Sequence, residues 1–398
     1  MKFIHTSDWH LGKSLYGYSR LEEQKKFCDD FIERVNDQHI DMVIIAGDVY
    51  DTSNITPEVE KLFYNTISKL SNNGQRCVLV IRGESDNQNK LGTIAKLAYN
   101  QGIIIIDDFT SIIEPNKFSG FEITESKEGC IKFDIKGEEV VIITLPYTKE
   151  NNLDNLLARY DNDYINEKTY SQKITRIINL LQENFKDNTI NIAVGHIPVV
   201  GCKNRPSEKN IELCKEAVVE KKDLPNKAQY IALGHFHKMQ KASEWMNAYY
   251  SGSPIQYSKE EKEDTKGCYL VDIQVGKKPN VEEMYFNNYK PIEIFKCDEV
   301  KSALAICEAN KDRDIWSYFE IKSDESISSN NIKKMKETLK GIVEIKPVFN
   351  HEAKIIDNNQ KSIGELFKDF YEFDMGQEIK GELMDLFLEI TNEEGGIK

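Results

Sequence analysis

Five apolar runs in this chain break off in the same way: an extended, largely aliphatic and often β-branched stretch stops abruptly at Gly, Asp or His. Asp8-Trp9-His10 comes soon after residues 2–5, Gly47-Asp48-Val49-Tyr50-Asp51 follows residues 42–46, and Gly83-Glu84-Ser85-Asp86 lies just past residues 78–81. Gly195-His196-Ile197-Pro198 follows residues 190–194, and Gly234-His235-Phe236-His237 follows residues 230–233. A strand apolar at nearly every position is buried on both faces and needs layers above and below it. Amphipathic stretches fill the intervals. Residues 21–37 place Phe27, Phe31 and Val35 on one helical face, and residues 57–70 begin with Thr56 as a cap and Pro57 in the first turn. A further helix is expected over 91–99 and a strand over 103–106. Strand pieces at 131–135, 140–145, 248–251 and 268–273, with a helix presenting Ile174, Ile177, Ile178 and Leu181, complete the pattern. The class is α/β, as a two-sheet sandwich, and loops at the carboxyl edges of such sheets project into a common crevice.

The rest of the chain divides further. Residues 291–349 read strand, helix, strand, helix, strand, which predicts a small α/β unit. After a polar stretch over 351–362, two helical stripes follow: Leu366, Phe367, Phe370 and Tyr371, then Ile379, Leu383, Phe387 and Ile390. The expected divisions are 1–285, 286–350 and 351–398. Such apolar-faced helices in an acidic tail suit docking onto a partner's helices. The net charge of −14 argues against a general affinity for nucleic acid, but half of it lies in that tail, so a local DNA groove stays open. The 8 cysteines form no C-x-x-C pair and read as reduced core thiols. No run approaches the ~20 apolar residues of a membrane span, and the first residues do not read as a signal peptide. The expected location is the cytoplasm.

Carboxylates and imidazoles at convergent loops suit two divalent cations about 3.5–4 Å apart with one carboxylate between them. Asp48 is the natural bridge. Asp8, His10 and His237 would complete one shell, and Glu84, His196 and His235 the other. The donor mixture suits manganese or iron, admits zinc and disfavours calcium. Four of the 7 histidines fall in these loops, while His5, His39 and His351 are assigned to structure or surface.

Asp8-x-His10, Gly47-Asp48-x-x-Asp51, Gly195-His196 and Gly234-His235-x-His237 resemble the calcineurin-like metallophosphoesterase superfamily. Residues 5–13, 46–51, 232–237 and Tyr250-Ser251-Gly252-Ser253-Pro254 resemble, more closely, its SbcD branch of nuclease subunits. That resemblance implies a metallophosphoesterase sandwich binding two manganese ions, and cleavage of DNA ends and hairpins. It also implies an SMC-like ATPase partner, SbcC, gripped by the C-terminal helices, and a capping domain over 286–350 that places DNA. Dimerisation would use helices matching 57–70 and 91–99.

One motif departs from the family. The usual Gly-Asn-His-Asp is here Gly83-Glu84-Ser85-Asp86. Glu84 still offers oxygen to a metal, with an added negative charge. Ser85 stands where the family has a histidine that stabilises the transition state and protonates the leaving oxygen, and a serine hydroxyl titrates far too high to replace it. Asn87 lies in the wrong register to restore the missing Asn. Asp51 and Asp86 join Ser85 as candidate catalytic groups. Lys13, Tyr18 and Arg20 lie where a phosphate backbone would pass, as do Lys203, Arg205 and Lys209. Three readings follow: a nuclease subunit, weakened at Glu84 and Ser85; an inactive subunit that binds DNA ends and the ATPase; or another phosphodiesterase or phosphatase on the same fold.

Overall fold

The computed structural model describes residues 1–160, 169–204, 218–323, 326–348 and 364–368, and also 371, 379, 381, 383, 384, 387 and 388. The chain opens with β1 (Lys2–Thr6), a ribbon of β2 (Ser14–Leu15) and β3 (Tyr18–Ser19), α1 (Leu21–Asp37), β4 (Met42–Ala46) and α2 (Pro57–Ser71). Next come β5 (Cys77–Ile81), α3 (Gln88–Ala98), β6 (Ile103–Ile106), β7 (Asn116–Lys117), β8 (Glu122–Lys127), β9 (Cys130–Ile135) and β10 (Glu138–Leu145). Then follow α4 (Glu150–Tyr160), α5 (Tyr170–Leu181), β11 (Ile190–His196), β12 (Tyr230–Gly234), β13 (Gln240–Lys241), β14 (Ala248–Tyr250), β15 (Gly267–Asp272) and β16 (Asn280–Tyr285). Last are β17 (Ile292–Cys297), α6 (Val300–Asn310), β18 (Trp316–Lys322), α7 (Ser329–Thr338) and β19 (Ile342–Val348).

Two sheets form the body, in the orders β16-β15-β1-β4-β5-β6 and β13-β14-β12-β11-β10-β9-β8-β7. Alternation along each strand explains its unbroken apolar run. In β4, Val43 and Ile45 face α1 and α2, while Met42, Ile44 and Ala46 face the second sheet. The second sheet meets the first through Ile142, Ile192, Val194 and Ala232, and meets α4 and α5 through Val141, Ile143, Ala193 and Ile231. The result is the expected α/β two-sheet sandwich. Strands β1, β4 and β5 run parallel, as do β10, β11 and β12, so their carboxyl ends supply the loops of one crevice.

Local signals place the helices. Thr56 Oγ1 accepts from the Val59 N–H, and Pro57 starts α2. α3 begins at Gln88, earlier than its apolar spacing indicates, because Asn87 caps it by accepting from the Lys90 N–H at 3.3 Å. Strands β8 and β16 escaped the sequence reading, since their faces are largely exposed and polar. Strands β17, β18 and β19 make a parallel sheet with α6 and α7 around their own core, which includes Phe319, Ile321 and Met335.

The ribbon ties this third sheet to the body. Leu15 packs with Ile292, Trp316 and Tyr318. Its two turn residues, Tyr16 (φ 49) and Gly17 (φ 85), both lie in the left-handed region, as a type I′ hairpin turn requires. Asn-Gly is favoured there, and a bulky residue at the first position costs about 1–2 kcal/mol.

The thiols of Cys28, Cys77, Cys130, Cys202, Cys268, Cys297 and Cys307 are free; Cys214 lies outside the described residues. Among the described residues no helix is long and apolar enough to cross a membrane.

Candidate metal centre

The loops interlock through their backbones. The Asp8 N–H donates to Gly47 O (3.0 Å), that of His10 to Asp48 O (2.9 Å), and that of Leu11 to Val49 O (2.8 Å). Close approach leaves no room for side chains at the turns. A Cβ at Gly47 (φ +89) would stand 2.2 Å from His196 Nδ1, and one at Gly83 would stand 2.1 Å from Asp48 Oδ1. Asp8 (φ 53), His10 (φ 42), Asp48 (φ 50) and His235 (φ 115) hold positive φ, a conformation unfavourable for such residues that persists only where the surroundings enforce it.

Three groups have donor atoms within 4.8 Å of one another: Asp8, His10 and His237; Glu84, His196 and His235; and Asp8, Asp48 and His196. All seven side chains singled out as ligands are therefore together. Asp48 touches both halves, with Oδ2 3.4 Å from His10 Nε2 and Oδ1 3.7 Å from His196 Nε2. His10 Nε2 and His237 Nε2 face each other at 3.0 Å. Glu84 Oε2 lies 3.1 Å from His196 Nε2 and 2.8 Å from His235 Nδ1. His196 donates its Nδ1–H to Ala46 O (2.8 Å), so the Nε2 lone pair points into the cluster, the arrangement that orients a metal-binding imidazole. The buried Asp8 carboxylate accepts from the His235 N–H (3.0 Å) and from the Ser7 hydroxyl (2.5 Å), which itself meets Ser251 at 2.8 Å.

A cation fits these donors. Among the described residues, no Lys or Arg pairs with Asp8, Asp48 or Glu84, and buried His235 Nε2 has no hydrogen-bond partner. Burial by itself pushes the His196 imidazole toward the neutral form, but Asp48 and Glu84 overcome it and lift its pKa to about 10. Burial raises Asp8, and Asp48 adds to that against the histidines. Burial also disfavours charge on Glu84, yet His235 and His196 hold it well below the usual carboxylate range. Protons and cations would therefore compete for one set of lone pairs.

The remaining candidates sort by what they touch. Ser85 donates its N–H to Asp48 Oδ1 (2.9 Å) and its hydroxyl to Asp48 Oδ2 (3.2 Å), so it holds the central carboxylate. Asp86 accepts from the N–H groups of Gly83 (2.9 Å), Tyr50 (2.8 Å) and Val49 (3.2 Å); it clamps two loops together rather than facing the cluster. Burial and the Asp48 charge push its pKa up to about 6, against those three donors. Asp51 pairs with Lys13 Nζ (2.6 Å) and lies 3.4 Å from His10 Nδ1. Despite burial, His10 and Lys13 pull its pKa down to about 2.

The DNA-binding set needs a correction. Arg20 is 2% exposed and cannot meet a phosphate: its guanidinium makes a two-pronged pair with Glu23 and donates to Gln256 O at 2.7 Å. Sequence position placed it beside the metal loop, but only the fold shows that it faces inward. Lys13 stays at the rim, bound to Asp51, and Tyr18 is 37% exposed with its ring 5.5 Å from Trp316. The Lys203 N–H donates to Gln240 Oε1, while Arg205 and Lys209 lie outside the described residues. Asn87 is spent as the α3 cap. His5 is structural: Nε2 meets Leu233 O and Nδ1 meets the Tyr230 hydroxyl, and burial drives its pKa down to about 3. His39 sits at a surface turn with φ 50, and His351 lies outside the described residues.

Sequence reasoning missed Gln24, whose side chain donates to His10 O and accepts from the Gly12 N–H, buttressing the first loop. It also missed the buried pair Glu261 and Lys266 behind His237, where Lys266 donates to His237 O at 2.9 Å. No motif marks them; Gln24 is one polar residue on a helix with several.

In the tail, the rings of Phe367 and Phe387 stack at 3.7 Å, and Tyr371 lies 6.3 Å from Phe367. The two stripes therefore meet each other. Leu366, Ile379 and Leu383 are also described, while Phe370 and Ile390 lie outside the described residues.

The layered sandwich and a histidine–carboxylate cluster at its strand ends are features of metal-dependent phosphoesterases, and the calcineurin-like phosphoesterase model matches residues 1–239. The chain belongs to that family. Within it, the chain is 31% identical over 398 residues to the SbcD subunit of nuclease SbcCD from Bacillus subtilis (strain 168), a match covering 98% of both. The chain also aligns with a dimetal phosphatase from Danio rerio at 9% identity and a TM-score of 0.40, over 72% of this chain and 97% of that one.

Proposed function

We propose that this chain is an SbcD-like nuclease subunit that hydrolyses DNA phosphodiesters at ends and hairpins with two manganese ions. The carrying observation is the convergence of Asp8, His10, Asp48, Glu84, His196, His235 and His237 from five separate loops. Bound cations would polarise the phosphoryl oxygen and lower the pKa of the attacking water. Asp8, His10 and His237 would hold one, Glu84, His196 and His235 the other, and Asp48 both. Ser85 steadies Asp48 and Asp51 faces His10, so both act by positioning. The reading assigns 1–285 to hydrolysis, 286–350 to placing DNA, and 351–398 to the SbcC ATPase, with two such chains per cytoplasmic assembly. The likeness to a subunit of SbcCD and the paired tail stripes support the partner. Truncation after Asn350 should abolish co-purification with SbcC and leave manganese binding intact; retained association would remove the tail assignment.

The Ser85 hydroxyl, committed to Asp48, offers no group titrating near neutrality to protonate a leaving oxygen. Hydrolysis should therefore be slow. The test is manganese-dependent cleavage of labelled duplex DNA by the unmodified chain and by a Glu84→Asn, Ser85→His double variant. The variant should be faster by roughly 10²–10⁴-fold. Equal, robust cleavage by both would defeat the claim of impairment. If neither cleaves although both bind manganese and DNA, the chain is a DNA-end-binding partner of the ATPase.

A further inference from the structure

We propose that Tyr16 is a base-stacking residue whose ring, at the tip of the β2–β3 ribbon, receives an unpaired nucleotide beside the metal centre. The inference rests on the nuclease reading and names the DNA that site prefers: single-stranded or frayed ends rather than closed duplex.

Three observations carry it. Tyr16 is 66% exposed, unusual for a large aromatic ring, and its φ of 49 falls at a turn position that Asn would fill with less strain. Strain retained at an exposed tip points to a use for the side chain itself. The ribbon is also fastened to the metal loop. The Lys13 N–H donates to His10 O at 3.0 Å, and its ammonium pairs with Asp51, which faces His10. Six residues of chain keep Tyr16 within about 20 Å of His10 even when fully extended.

Aromatic rings that bases can stack on are the common element of single-strand binding surfaces, and Tyr16 stands among further rings. The Tyr16 ring lies 6.1 Å from Tyr318, and Tyr18 lies 5.5 Å from Trp316. Lys290 Nζ sits 3.8 Å from the Trp316 ring and pairs with Asp314 at 2.9 Å; Lys259 Nζ sits 5.8 Å from the Tyr318 ring and pairs with Glu344 at 3.5 Å. Trp316 and Tyr318 are buried, so Tyr16 and Tyr18 are the rings of this seam that reach solvent. A tyrosine needed only to brace Tyr318 would have no reason to stand mostly in solvent.

The experiment measures binding of the full-length chain to a labelled oligo(dT) and to a blunt duplex of equal length by fluorescence anisotropy, at one stated salt concentration. Tyr16→Asn suits the turn and removes the ring, while Tyr16→Phe keeps it. Tyr16→Asn should weaken oligo(dT) binding about 10-fold or more and duplex binding far less, with Tyr16→Phe close to wild type. Oligo(dT) affinity unchanged in Tyr16→Asn, or lost equally in Tyr16→Phe, overturns the stacking role. Cleavage of bis-p-nitrophenyl phosphate by the manganese-loaded wild type is scored separately. A wild type that neither cleaves it nor binds either DNA overturns the nuclease reading as well.

Discussion

Two regions of this molecule bury charge, and they do so in opposite ways. At the junction between the body and the third sheet, Arg20 is matched by Glu23, whose carboxylate also accepts from Trp316 Nε1 at 2.8 Å. The guanidinium further lies 5.7 Å from the rings of Tyr257 and Trp316. Both charges there are satisfied within the chain. At the candidate metal centre, Asp8, Asp48 and Glu84 converge without a Lys or Arg partner among the described residues, met by imidazoles, hydroxyls and backbone N–H groups. The junction is complete as folded. The centre is balanced only by taking up protons or cations, and that imbalance separates a site that binds from one that only holds.

The contrast can be broken in three ways. The largest effect is expected at the junction. Arg20→Met leaves Glu23 buried without its cation and should cost about 3–5 kcal/mol in urea unfolding; a loss near zero would mean that the pair is not structural. At the centre, manganese at about 100 times its Kd should stabilise the wild type by about 2.7 kcal/mol. The same concentration should do far less for Asp48→Asn, as read by thermal melting. Equal stabilisation of the two would deny Asp48 its bridging place. The smallest effect has the opposite sign to the first. With chelator present, Asp48→Asn relieves repulsion among the carboxylates and should raise stability by about 1 kcal/mol. A clear loss would show that the hydrogen bonds from Ser85 and the attraction of Asp48 for the charged His196 imidazole outweigh that repulsion.

Much of the centre was legible because its signals are local. A strand apolar on both faces, ended by glycine and then Asp or His, declares both its burial and its projecting loop within a few residues. The seven ligand candidates came from that pattern, and the structure brings them together. Arg20 misled because it lies close in sequence to Lys13, yet α1 turns it under Tyr257 while Lys13 stays at the rim. Asp86 stands in the same motif as Ser85 among the candidate catalytic groups, but three backbone N–H groups claim its carboxylate. Polar strands such as β16 gave no apolar pattern to find and exist because β15 supplies their hydrogen bonds.

By itself the sequence determined the layered α/β class, the order of the apolar strands and of most of the helices between them, and which side chains would stand at the strand ends. Periodicity and turn chemistry act over a few residues, and so those features are written locally. Only the tertiary structure decided which charged groups would be neutralised inside the chain and which left to bind. It alone also set the left-handed backbone at Asp8, His10, Asp48 and His235. The reason is physical: desolvation and pairing depend on neighbours in space, and the partners of His196, His235 and Lys266 include Ala46, Glu84 and His237, distant from them in sequence.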